Sequence, residues 1–158
     1  MAKRFRFRLQ NVLRYRQRLE EKAKKDLALA QRDLIEQQRR LDRLWSERAE
    51  QQARLASKAV ARLDMSEVMS YHSYIYAIEA RLRREGLELV RREAAAEKKR
   101  LELVEASRAK RALEILREKR FGEYLKYLDS EERKALDEIK PGSIGGEALI
   151  GSIGRGND

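Results

Sequence analysis

From Val12 to Leu63 apolar residues recur every three or four positions, and neither glycine nor proline interrupts them. A strand needs a period of two and a globular core needs turns, so this pattern admits little except one long amphipathic helix. The apolar seam starts Val12, Tyr15, Leu19, Ala23, Leu27, Ala30 and Leu34, and continues through Gln37, Leu41, Leu44, Arg48, Gln52, Leu55 and Ala59 to Leu63. Leu27, Leu34 and Leu41 lie seven apart, the spacing of a coiled coil. The steps Tyr15–Leu19–Ala23–Leu27 are consecutive fours and predict a stutter that locally unwinds the supercoil. At 1.5 Å per residue the helix runs to about 80 Å.

Around Asp64 to Glu67 the pattern restarts. Asp64 with Glu67 three residues later resembles a capping box, and Ser66 is an alternative cap. A second seam runs Val68, Tyr71, Ile75, Ile78, Leu82, Glu85, Leu89, Arg92, Ala96, Lys99, Leu103 and Ala106, slips by one residue, and resumes Ala109, Leu113, Leu116, Arg120, Tyr124 and Leu128. One continuous helix is the alternative to a reversal. The favoured fold is all-α: a long antiparallel two-helix coiled coil with helix 1 over about 8–63, a turn over about 64–67 and helix 2 over about 68–139, forming one domain, 1–140. Facing residues then have numbers summing to about 130, with Leu63 near Glu67 and Leu9 near Phe121. Gln37, Arg48, Gln52, Glu85, Arg92, Lys99 and Arg120 break the seam with polar groups. Such breaks fix register at a cost in stability, or mark where another molecule packs. Pro141-Gly142 stops the second helix, and the glycine-rich 141–158 reads as a disordered tail.

Composition narrows the functions open to such a chain. Charged residues are 41% of it, and there is one Pro, no Cys and a single His. The absence of cysteine excludes disulfides and thiol chemistry, and His72 alone cannot form a histidine metal pair. No apolar run approaches a membrane span. No phosphate loop or nucleophile–base pair is present. The acidic doublets Glu131-Glu132 and Asp137-Glu138 read as solvated faces. The expectation is a soluble, non-enzymatic protein without cofactor or metal, acting by shape, charge and contact.

The net charge of +10 is uneven. Ten Lys/Arg between Lys3 and Lys25 face only Glu20 and Glu21, while the rest of the chain is nearly balanced. Three readings compete for this charge: a solubilising helix start, an acidic protein or anionic membrane surface, and a nucleic acid; cations at a helix start oppose the macrodipole, which disfavours the first. Two aromatic groups stand out. Tyr74 and Tyr76 fall off the second seam, which suggests a contact surface, and Trp45 beside Leu44 reads either as stem packing or as a partner contact. Phe121, Tyr124 and Tyr127, with Leu125 and Leu128, are placed to close the open end against Phe5 and Phe7.

The opening Lys3-Arg4-Phe5-Arg6-Phe7-Arg8-Leu9-Gln10-Asn11-Val12-Leu13-Arg14 is similar to the start of the flagellar export protein FliJ family. The stretch Lys110 to Arg120 and the run from Leu128 to Ile139, ending in Leu136-Asp137-Glu138, resemble that family as well. The resemblance covers about residues 3–139 and implies a stalk-like coiled coil of the flagellar type III export apparatus. The family's partners are the hexameric export ATPase, the cytoplasmic part of the export gate membrane protein, and export chaperones. By this resemblance the basic end, with Arg6, Arg8, Arg14, Arg117, Lys119 and Arg120, is the expected ATPase contact. The segment Met69 to Ile75 resembles the start of the gate-binding surface, with Leu44, Tyr74 and Ile78 as its expected residues. The protein is then cytoplasmic and peripheral to the inner membrane at the flagellar base, with no nucleic acid expected. A basic coiled coil that binds nucleic acid, and the related stalk of a virulence secretion system, are the competing readings.

Overall fold

A computed structural model describes residues 3–60, 62 and 64–139. It contains two helices, α1 (Gln10–Val60) and α2 (Met65–Ile139). Among the described residues there is no strand. Residue 61, Leu63 of the expected Leu63–Glu67 pair, and the tail that was expected to be disordered lie outside the described residues.

Each helix opens on a backbone hydrogen bond. The Leu9 carbonyl accepts the first bond of α1 from the Leu13 amide at 2.9 Å, and the Asp64 carbonyl accepts from Val68 at 3.2 Å. The carbonyl that receives the first intrahelical bond belongs to the N-cap residue. Asp64 therefore caps α2, which starts at Met65, three residues before the expected Val68. Helix α1 has no acidic residue in its first turn, so no carboxylate there offsets its positive dipole end.

The packing divides the chain into two units, each described by itself. Arg8–Ile115 is one; residues 3–7 with 116–139 are the described part of the other.

In the larger unit α1 and α2 lie antiparallel as a helical hairpin. Cross-helix partners such as Glu47 and Tyr74, Gln37 and Glu85, Arg48 and Glu79, and Glu20 and Lys110 have numbers summing to between 121 and 130. Its apolar core is small: Leu44, Ile78 and Leu82 are buried together, with Leu41 packed against them. Each such burial is worth about 1.5–3 kcal/mol. Leu13, Ala23, Ile75 and Ala96 are buried at other levels of the seam.

The second seam appears as expected from Val68 to Leu116, each of its residues being buried or half-buried. The first seam needs a correction at its start. Val12 and Tyr15 are exposed, Tyr15 at 56%, while Leu13 and Glu20 are buried. Leu13, Glu20, Leu27, Leu34, Leu41, Arg48 and Leu55 form one unbroken heptad row, so the expected stutter is absent. Reading by apolarity alone skipped Glu20, because a buried carboxylate looks forbidden until its counter-ions are known. Arg120 of the second seam is likewise exposed rather than buried.

Candidate functional site

In the smaller unit the N-terminal segment packs on α2. The Phe5 ring meets the edge of Phe121 at 5.2 Å between centroids and Tyr124 at 5.5 Å. Edge-on and tilted rings at these distances are mutually attractive. The alternation Arg4-Phe5-Arg6 thus has a structural basis. In an extended segment successive side chains point to opposite sides, so Phe5 turns inward and Arg4 and Arg6 turn out. Among the described residues the ring contacts here are those of Phe5, Phe121 and Tyr124; Phe7 is half-buried with no ring contact, and Leu125 and Tyr127 are exposed.

Four of the expected basic residues belong to this unit: Arg6, Arg117, Lys119 and Arg120, all exposed. Arg120 pairs with Glu123 at 3.1 Å. Arg8 and Arg14 are exposed too, but they belong to the larger unit. The first helix turns at Arg8-Leu9 and follows at Gln10, so Arg14 stands one turn into α1.

The second expected surface lies in the larger unit. Leu44 and Ile78 are core residues, the latter 1% exposed, and a partner can reach neither. Tyr74 is different. The residue is 45% exposed, and its hydroxyl donates to the Glu47 carboxylate across the hairpin. That bond holds the phenol proton and raises the Tyr74 pKa, with burial and the charge of Glu47 adding to it. Leu44 and Ile78 pack together with Leu82 in the core. On Trp45 the Arg48 guanidinium stacks at 5.4 Å, and Arg48 also bridges to Glu79 at 2.8 Å. Nearer the start of α2, the Lys58 ammonium sits 5.2 Å above the Tyr71 ring. Trp45, Tyr74 and Tyr76 are all exposed, so this part of the hairpin presents aromatic surface beside ion pairs.

The polar breaks in the seam are themselves linked. Glu20 is buried and holds Lys24 at 2.7 Å and Lys110 at 2.9 Å. The hydrogen bond from Lys24, and then that from Lys110, lowers the Glu20 pKa against the opposing effect of burial. Gln37, fully buried, donates to the Glu85 backbone oxygen at 3.0 Å and to the Glu85 carboxylate. Its Oε1 has no partner. Arg92 donates to the Asp33 backbone carbonyl at 3.2 Å. The Glu20 cluster escaped sequence reasoning; the signal that would have found it is the heptad phase Glu20 shares with Leu13 and Leu27.

Among the described residues no group of His, Asp and Glu is placed to hold a metal ion, and no helix is long and apolar enough to cross a membrane. What the surface offers is charge and aromatic contact on helical scaffolds.

The model of the family described as flagellar FliJ protein matches residues 5–141. The chain belongs to the FliJ family. This makes it a component of flagellar type III export, a membership that fits a contact surface rather than a catalytic one. The FliJ match begins at Phe5, the residue whose ring anchors the N-terminal segment, and covers both helices. No curated protein sequence and no solved structure matches the chain.

Proposed function

We propose that this FliJ-family protein is a non-catalytic stalk that binds the hexameric flagellar export ATPase through its basic end and favours the assembled, active ring. The observation that carries this reading is the Phe5–Phe121–Tyr124 cluster, which fastens an extended basic segment beside the basic turn of α2, Arg117 to Arg120. Arg6, Arg117, Lys119 and Arg120 supply cations for acidic loops of a ring. Arg8 and Arg14 extend the basic set along the chain into α1. A ligand that binds only the assembled ring stabilises it by mass action, which requires no catalytic group on the stalk.

The second contact is the export gate's cytoplasmic part. Tyr74 is the residue that meets it, and Leu44 and Ile78 act from beneath by holding the surface in shape. Export chaperones complete the set of partners, and the protein works in the cytoplasm against the inner membrane at the flagellar base.

ATP hydrolysis by the cognate export ATPase, measured with and without the protein, tests the first contact. Arg6→Glu, Arg8→Glu and Arg14→Glu together are expected to abolish stimulation while helicity by circular dichroism is unchanged. Full stimulation by that variant would sink the reading. Tyr74→Ala is expected to weaken capture of the gate's soluble part and leave ATPase stimulation intact. A salt titration with nucleic acid is the contrast: binding that falls steeply between about 50 and 200 mM salt would favour the nucleic-acid reading instead.

A further inference from the structure

Two heptad rows of α1 make its side of the seam: Leu13, Glu20, Leu27, Leu34 and Leu41, and Ala23, Ala30, Gln37 and Leu44, each buried or half-buried. A third row starts five residues after the first. At about 100° per residue it falls on the side of α1 turned away from the seam. It reads Arg18, Lys25, Arg32 and Arg39, all exposed and all within the larger unit. Its steps are about 10.5 Å, so the cations form a straight line about 30 Å long. Among the described residues none of the four has a hydrogen bond or an ion pair. The rows on either side are balanced, Arg14, Lys22 and Arg43 against Glu21, Glu36 and Asp42, and Arg40 holds Glu36 at 3.1 Å. The excess charge of this face therefore lies in the line itself.

Apolar side chains fill the gaps in the line. Ala28 and Leu29 stand between Lys25 and Arg32, and Ile35 between Arg32 and Arg39; all three are exposed, Leu29 at 59% and Ile35 at 48%. A shallow groove lies here on α1, with Arg32, Arg39 and Arg43 around Ala28 and Ile35. Guanidinium groups take phosphate oxygens two at a time, and apolar side chains between them can enter a headgroup layer. We propose that the outward face of α1 from Arg18 to Arg43 is a membrane-docking strip, on which the larger unit lies against an anionic phospholipid surface. This goes beyond the ATPase and gate contacts, whose residues it does not use, and gives the placement at the inner membrane a contact of its own.

The layout of the charge selects a flat, fluid anion over other partners. Headgroups diffuse in the plane and gather beneath cations at any spacing, so the whole line is used. The grooves of a nucleic-acid duplex turn once in about 34 Å, so a straight line of this length leaves a phosphate strand part-way, and Leu29 and Ile35 meet no apolar layer there. An acidic protein would have to repeat its carboxylates every 10.5 Å or so along a straight line, with apolar contacts between them.

Co-sedimentation of the full chain with vesicles, without the ATPase, tests the proposal. Binding is expected to mixed phosphatidylglycerol–phosphatidylcholine vesicles, to weaken steeply between about 0.1 M and about 1 M salt, and to be absent with phosphatidylcholine alone. Arg18→Gln, Lys25→Gln, Arg32→Gln and Arg39→Gln together are expected to lower the partition coefficient about a hundredfold, with helicity and ATPase stimulation unchanged. Arg83, Arg84, Arg91 and Lys98 are exposed on α2. Changing these four to Gln removes equal charge more than a Debye length from the bound surface and is expected to lower the coefficient less than about fivefold. The chain has no cysteine, so single thiols report orientation cleanly. An environment-sensitive fluorophore on Ala28→Cys is expected to shift to the blue on anionic vesicles, and one on Ala94→Cys, on the outward side of α2, is expected not to. No binding to anionic vesicles, equal losses in the two fourfold variants, a blue shift only at Ala94→Cys, or displacement by duplex DNA at equal phosphate concentration would each overturn the proposal.

Discussion

Glu20 shows how one side chain settles a seam. Its heptad position would suit leucine, yet the carboxylate is accommodated because Lys24 comes from one turn along α1 and Lys110 from α2. The sign of its pH dependence follows from the lowered pKa. A carboxyl held below its ordinary 4.5 adds stability that is fully present above that value and disappears as pH falls through the folded-state pKa. The melting temperature of the wild type is therefore expected to fall more steeply below about pH 4.5 than that of Glu20→Gln, as read by circular dichroism. Equal slopes on the acid side would show that the cluster does not couple to folding. Glycine gives a second residue-scale prediction. A β-carbon at Gly86 or Gly122 would meet nothing within 4 Å, and neither residue has positive φ. Gly86→Ala and Gly122→Ala are each expected to stabilise α2 by about 0.5–1 kcal/mol in thermal or denaturant unfolding.

Among the elements, the hairpin is a small apolar core surrounded by polar links. Because Ile78 is buried with Leu44 and Leu82 in an apolar cluster, Ile78→Ala is expected to cost about 3 kcal/mol and lower the denaturant midpoint markedly. Gln37 is the counter-case. It is fully buried with one amide oxygen unpartnered, while the Glu85 carboxylate it touches is half-buried and can turn to water. Gln37→Leu is accordingly expected to raise stability by about 1 kcal/mol while relaxing the register of the two helices. Broader amide resonances, or cross-links at shifted pairs, would report the lost register. A stable variant with unchanged register would mean that Arg48–Glu79 and Arg92–Asp33 hold the alignment without it.

For the molecule as a whole, the net charge of +10 governs encounter more than stability. The excess sits in the first 25 residues, and charges near the start of α1 receive no compensation from acidic residues in that turn. The proposed association with the export ATPase is expected to slow about tenfold or more when salt rises from about 0.1 M to about 1 M, as the Debye length shrinks from about 10 Å to about 3 Å. Stopped-flow association rates would show this, and a dissociation rate that changes little would separate steering from grip.

The sequence by itself determined the fold class, the two long helices, nearly all of the second seam and the FliJ resemblance, because a three-and-four spacing without glycine or proline leaves the backbone one way to bury its apolar residues. It also determined where cations concentrate. Tertiary structure alone decided the rest. Only the opposed helix shows that Glu20 rather than Tyr15 enters the seam, because burial of a carboxylate depends on a lysine 90 positions away. Only packing shows that Leu44 and Ile78 are core and that Tyr74 is the exposed member of that trio, since a position beside a seam does not reveal which side the neighbouring helix covers. The cation row of α1 was equally present in the letters, but a row is known to face outward only when the seam has been placed.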